Sequence, residues 1–132
     1  MTGGDIRIGT VFFGPDEPGG ADGHLRVVIS PPLGDPPQVL TVSVTTWTDR
    51  QDQSCILEPV DHPSVRHRSV IGYGFARLDP ADGLRKQLRQ GTISPRAPAS
   101  THLIERIWEG AERTRQLTER CRRHLVESGI LP

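Results

Sequence analysis

Between residues 5 and 78 the β-branched and apolar runs of this chain stand too close together for helices to fit between them. Five runs read as strands: 5–13 (DIRIGTVFF), 25–30 (LRVVIS), 38–47 (QVLTVSVTTW), 54–60 (SCILEPV) and 69–78 (SVIGYGFARL). They are separated by turn chemistry: GPDEPGGADG at 14–23, PPLGDPP at 31–37, TDRQDQ at 48–53 and DHPSVRHR at 61–68. Parallel neighbours need a crossover of roughly a dozen residues or more, so strands this close are expected to pair antiparallel. So few strands leave exposed edges that closure into a small barrel removes. Gly72 and Gly74 predict a bulge or a close backbone approach in the last run. Tyr73 and Phe75 alternate there and are expected to pack inside.

After residue 78 the periodicity becomes helical. A short helix is expected from Pro80 or Ala81 to Arg89, with Leu84 and Leu88 on one face and Gly91 as its stop. TISPRAPAS at 92–100 reads as a loop. Ser100 or Thr101 caps a helix to about Glu112, with Leu103, Ile104, Ile107, Trp108 and Ala111 on one face. RTRQ breaks the pattern, and a last helix from Gln116 to Glu127 carries Leu117, Cys121 and Leu125 and ends before Gly129. The expected architecture is α+β: a small antiparallel β-barrel over 1–93, then a helical extension over 94–132 packed on it, as one domain overall.

The formal net charge of zero hides an asymmetry. Residues 1–60 carry eight acids and three arginines; residues 61–132 carry eight acids, twelve arginines and one lysine. A neutral chain is not a general nucleic-acid binder, so any nucleic-acid contact has to come from a local patch. No apolar run approaches the roughly 18 residues that span a bilayer. The start, MTGGDIRIG, lacks the charged and apolar regions of a secretory signal. A cytoplasmic protein with reduced thiols at Cys55 and Cys121 is therefore expected. His62, His67 and Cys55 lack the spacing of metal ligands, and no metal or other cofactor is expected.

Polar groups that can do chemistry stand against two of the strands. Arg26 precedes Val27 to Ile29, and Thr45 and Thr46 follow Val44. A guanidinium offers a fixed fork of donors that matches phosphate oxygens, and a threonine hydroxyl can donate to one. Neither is a good base near neutrality, whereas an imidazole is, and His24 lies two residues from Arg26 on the same side of a strand. The segment from Asp61 to Arg68 holds His62, Arg66, His67 and Arg68, a phosphate-compatible patch or a solvated loop. Trp47 ends a strand beside the two threonines, where it either stacks on a base or caps the core. The run Arg120-Cys121-Arg122-Arg123-His124 is locally basic, but most of the tail's charge fits a solvated face with i,i+3 and i,i+4 pairs.

Over about residues 4–90 the order of these features resembles the MazF/PemK (Kid-type) toxin family. Gly4-Asp5-Ile6 precedes the first apolar run; Gly23-His24-Leu25-Arg26 leads into Val27 to Ser30, where the family has Gly-His-Arg-Pro; Val42-Ser43-Val44-Thr45-Thr46 matches a strand ending in threonine; Ile56-Leu57-Glu58 and Ser69-Val70-Ile71 follow in order. The resemblance implies an SH3-like barrel, usually a homodimer. It implies metal-independent endoribonuclease activity on single-stranded RNA, as the toxin of a type II toxin–antitoxin pair neutralised by a small acidic antitoxin. It assigns catalysis to Arg26 with Thr45 or Thr46. His24 is added here as the base, and Trp47, His62, Arg66, His67 and Arg68 as RNA contacts. The 14–23 loop is expected to gate the groove. The alternative is a non-enzymatic module with the same barrel that binds protein or nucleic acid.

Overall fold

The computed structural model describes residues 5–16 and 20–132. Gly4, and positions 17–19 of the expected gating loop, lie outside the described residues. The element order is β1 (Val11–Pro15), β2 (Gly23–Val28), β3 (Gln38–Thr46), β4 (Ile56–Leu57), a 3-10 turn (Pro59–Asp61), β5 (Ser69–Pro80), α1 (Ala81–Gln90), β6 (Ser94–Arg96), α2 (Thr101–Arg113) and α3 (Glu119–Glu127). The six strands form one antiparallel sheet in the order β4-β5-β3-β2-β1-β6. It curls into a half-barrel, and three helices complete an α+β fold.

Two of the expected strands are shorter than their apolar runs. The first expected strand begins only at Val11, because a turn at Gly9, whose φ is +96°, separates it from Ile6. Ile6 is buried all the same. The expected strand at 54–60 narrows to β4. The Ser54 N–H turns to Asp52 (3.0 Å), and Pro59, which has no N–H, opens the 3-10 turn. The expected loop at 92–100 supplies a strand, β6, which pairs with β1 through Val11↔Arg96. The sheet thus takes one strand from beyond residue 93.

Cross-strand pairing sorts the side chains into two faces. Val11, Val27 and Val42 stand opposite one another and, with Ile29, Leu40, Ile71 and Tyr73, pack under α2 and α3. Leu103, Ile104, Ile107 and Ala111 of α2, with Leu117, Cys121 and Leu125, close that main core. The other face carries Phe12, Val28 and Val39, covered by Ile6, Ile93 and, from α1, Ala81 and Leu84. This smaller core covers only one end of its face; the opposite end is polar.

The helices begin and end where their caps dictate. Ser100 Oγ accepts from Leu103 N (3.0 Å) and Thr118 Oγ1 from Cys121 N (3.3 Å). The latter cap starts α3 three residues later than its apolar spacing suggested. Gly91, at φ +75°, closes α1. Trp108, expected in the core, is half-buried and donates from Nε1 to the Ile29 carbonyl (2.8 Å). Both cysteines are buried and unbridged. Among the described residues no helix is long and apolar enough to cross a membrane.

One correction concerns β5. The register against β3 shifts between Thr41 and Ser43, so a bulge falls within β5. Simple alternation would place Tyr73 and Phe75 together inside. Tyr73 is indeed fully buried and donates from its hydroxyl to the Ile107 carbonyl (2.7 Å), but Phe75 is 70% exposed. The bulge re-aims the strand between them, as bulges do beside binding sites.

Candidate functional site

The polar end of the α1 face is a hollow of about 400 Å³ lined by Asp16, His24, Arg26, Ser43, Thr45, Gln51, Phe75 and Arg77. That volume lies within the range of small-molecule sites. Its floor follows from strand register. Arg26 stands opposite Ser43, and His24 and Thr45, each two residues on, share their face. Gly72 stands opposite Ser43 from β5. A Cβ at Gly72 would lie 2.7 Å from Ser43 Oγ and 3.1 Å from the Phe75 ring, so the missing side chain keeps the floor open.

Arg26 is only 4% exposed. Its Nε donates to Thr41 Oγ1 (3.0 Å), and its Nη2 donates to the carbonyls of Thr41 (3.1 Å) and Phe75 (2.9 Å). Thr41 Oγ1 donates onward to Asp79 Oδ2 (3.0 Å), which also accepts from Arg77 Nε (2.9 Å). The guanidinium is thereby fixed, and Nη1 bonds to none of the described residues. Burial, reinforced by the Arg77 charge and opposed by Asp79 and Asp16, lowers the pKa of Arg26 to about 10. It stays charged at neutral pH. Ser43, 2% exposed, has a hydroxyl with no partner among the described residues.

His24 forms the rim. Its Nδ1 donates to Asp16 Oδ1 (2.7 Å), which fixes the ring and leaves Nε2 as the free acceptor. Thr45 Oγ1 accepts a long hydrogen bond from Gln51 Nε2 (3.4 Å). His24, Arg26 and Thr45 therefore share one wall.

Thr46 does not join them. It projects from the opposite face and shares a hydrogen bond with His67 Nε2 (2.9 Å). Both line a second hollow of about 540 Å³, with Leu25 and Val44 on its floor and Arg66 and Arg96 at its lip. The Arg96 guanidinium lies over the Phe13 ring, 5.6 Å from its centroid. The two hollows meet at His24 and Thr45, which line both. Leu25, which precedes Arg26 in β2, faces this second hollow. Arg26, one residue on, lies on the other side of the sheet.

The remaining sequence candidates have other surroundings. His62 is buried: Nε2 donates to the Ala97 carbonyl (2.6 Å) and Nδ1 accepts from Ser64 N (3.0 Å), so neither ring nitrogen is left for a ligand. This contact ties the segment after β4 to the segment after β6, across the open side of the curled sheet. Arg68 lies over the Trp47 ring at 5.8 Å and pairs with Glu58 (2.8 Å), while the Trp47 Nε1 is buried without a partner. Asp16, Ser43, Gln51, Phe75 and Arg77 were not marked by the sequence reading. Only Gly72, as a bulge or close-approach signal, pointed toward them.

Compared with known proteins, the chain matches no family model and no curated protein.

Proposed function

We propose that the first hollow binds a phosphodiester of single-stranded RNA and cleaves it without a metal, in the manner of the MazF/PemK-type toxins. The supporting observation is that an Asp16-oriented His24, a fixed guanidinium at Arg26 and the Thr45 hydroxyl line one cavity. His24 Nε2 takes the proton of the 2′-hydroxyl. The 2′-oxygen attacks the adjacent phosphorus, the bond to the 5′-oxygen breaks, and a 2′,3′-cyclic phosphate and a 5′-hydroxyl result. Arg26 Nη1 and the Thr45 hydroxyl stabilise the charge that builds on the non-bridging oxygens. His24 is the one imidazole lining this hollow among the described residues, so water supplies the leaving oxygen's proton. On this reading the chain is the cytoplasmic toxin of a type II pair and works as a homodimer with an SH3-like barrel; the strand order and the curl of the sheet support it. The second hollow, with an apolar floor and a lip of Arg66, His67 and Arg96, suits an extended acidic segment of an antitoxin.

The purified chain, incubated with single-stranded RNA in excess EDTA, is expected to give discrete cuts. His24→Gln, a change at a half-exposed position, is expected to slow cleavage by about 100-fold or more. Intact RNA, or equal rates for the two proteins, contradicts the proposal.

A second reading, a non-enzymatic binding module, is favoured by two observations. Three of the five N–H donors of Arg26 hold Thr41 and Phe75, a structural use. Leu25, not an arginine, faces the second hollow with Thr46. On that reading the second hollow still binds its partner while RNA survives the EDTA incubation.

A further inference from the structure

The Phe75 ring is an exposed aromatic face beside Arg26. Its backbone carbonyl accepts from Arg26 Nη2 (2.9 Å), so the residue's backbone is anchored to the guanidinium. The β5 bulge turns the ring out of the core, and it lines the hollow at 70% exposure. A lone exposed phenylalanine needs no explanation. This one borders a cavity whose floor holds a buried hydroxyl without a partner, Ser43, and whose wall holds the unengaged Nη1 of Arg26. A buried hydroxyl left unsatisfied costs stability, and a ligand oxygen accepting from it removes that cost.

We infer that the hollow is a subsite for one unpaired nucleotide. The base stacks on Phe75, and the phosphate accepts from Arg26 Nη1 and the Ser43 hydroxyl. The inference deepens the nuclease reading, since it uses the same cavity, but it requires binding alone. Stacking on an aromatic face tolerates any base, because every base has a π-face. Phe75 thus sets affinity for a nucleotide over a bare sugar phosphate, and does not select a sequence. Gly72 stands directly against two of these residues: a methyl group there would fall against Ser43 Oγ and the ring.

The test is calorimetric titration of the full chain with adenosine 5′-monophosphate and with ribose 5-phosphate, which carries the same phosphate without a base. The nucleotide is expected to bind about tenfold more tightly or better. Phe75→Ala should abolish that preference while leaving the sugar phosphate's affinity unchanged, and Phe75→Trp should keep it. Ser43→Ala should weaken both ligands by the same factor. Equal affinity for the two ligands in the wild-type chain, no binding of either, or an equal loss of both in Phe75→Ala overturns the inference. Nucleotide preference in a chain that leaves RNA intact defeats the nuclease reading alone. RNA cleavage without that preference defeats the subsite alone.

Discussion

Arg26 is where structure and proposed chemistry compete for one side chain. Its buried charge is tolerated because Thr41 and two backbone carbonyls replace the lost water, and Asp79 stands behind Thr41. Arg26→Ala strips the donor from both carbonyls at once and should lower stability by about 3 kcal/mol in urea titration. Loss of activity in that variant therefore says little about catalysis, which makes His24→Gln the cleaner probe. Ser43 is the opposite case. Its hydroxyl has no partner among the described residues, so Ser43→Ala should keep the stability or raise it by about 1 kcal/mol in the absence of ligand. A large loss would mean that the hydroxyl already serves the fold. His24 and Arg26 were legible as a pair because period-two spacing along one strand puts them on one side, whereas the choice between Thr45 and Thr46 stayed open because it depends on the register between β2 and β3. Asp16, Ser43 and Phe75 were not legible. Asp16 reaches His24 across a hairpin, Ser43 is one of many strand serines until Gly72 is set beside it, and Phe75 depends on a bulge whose placement in the register no local pattern states.

The elements show the same division. Ser100 and Gly91 marked helix ends because capping is local chemistry. β6 escaped detection because Ser94-Pro95-Arg96 has no β-branched residue and exists through its pairing with β1. α2 makes a close approach that its amphipathic pattern hides: a Cβ at Gly110 would lie 2.2 Å from the Tyr73 hydroxyl oxygen. Gly110→Ala, which raises helix propensity, should nonetheless lower the stability by about 1–3 kcal/mol, since the overlap falls on a fully buried side chain. Unchanged or raised stability in thermal unfolding would refute this packing account. α3 is fastened by His124, which is buried. Ser30 Oγ accepts from Leu40 N (2.8 Å) and shares a hydrogen bond with His124 Nε2 (2.8 Å). Burial lowers the pKa of His124, with Glu127 acting weakly the other way. The unfolded chain then binds the extra proton more readily than the native one. Stability conferred by the neutral ring is complete above the ordinary value of 6.5 and is lost as pH falls below it. The melting temperature should drop from pH 7.5 to pH 5.5, and His124→Gln should flatten that part of the profile. An equal drop in the variant would place the pH sensitivity elsewhere.

At the scale of the molecule, antiparallel pairing and the change from strands to helices after residue 78 could be read from spacing alone, β6 excepted, because strands joined by short turns have few ways to pair. The curl could not. It brings β4 and β6 within reach of a histidine clasp at His62 and Ala97, and it creates two hollows that meet at the open strand ends. One hollow is polar, with a buried guanidinium and a buried free hydroxyl; the other has an apolar floor and a basic lip. The proposed phosphodiester site is the first, and the proposed site for a protein partner is the second. The most direct measurement is a crystal structure of the chain with a short single-stranded 2′-deoxy oligonucleotide, which lacks the nucleophile and cannot be cut. The expected complex has a backbone phosphate accepting from Arg26 Nη1, a base against Phe75, and the deoxyribose C2′ facing His24 Nε2. An oligonucleotide that leaves this hollow vacant and lies along Arg66 and His67 instead would contradict it.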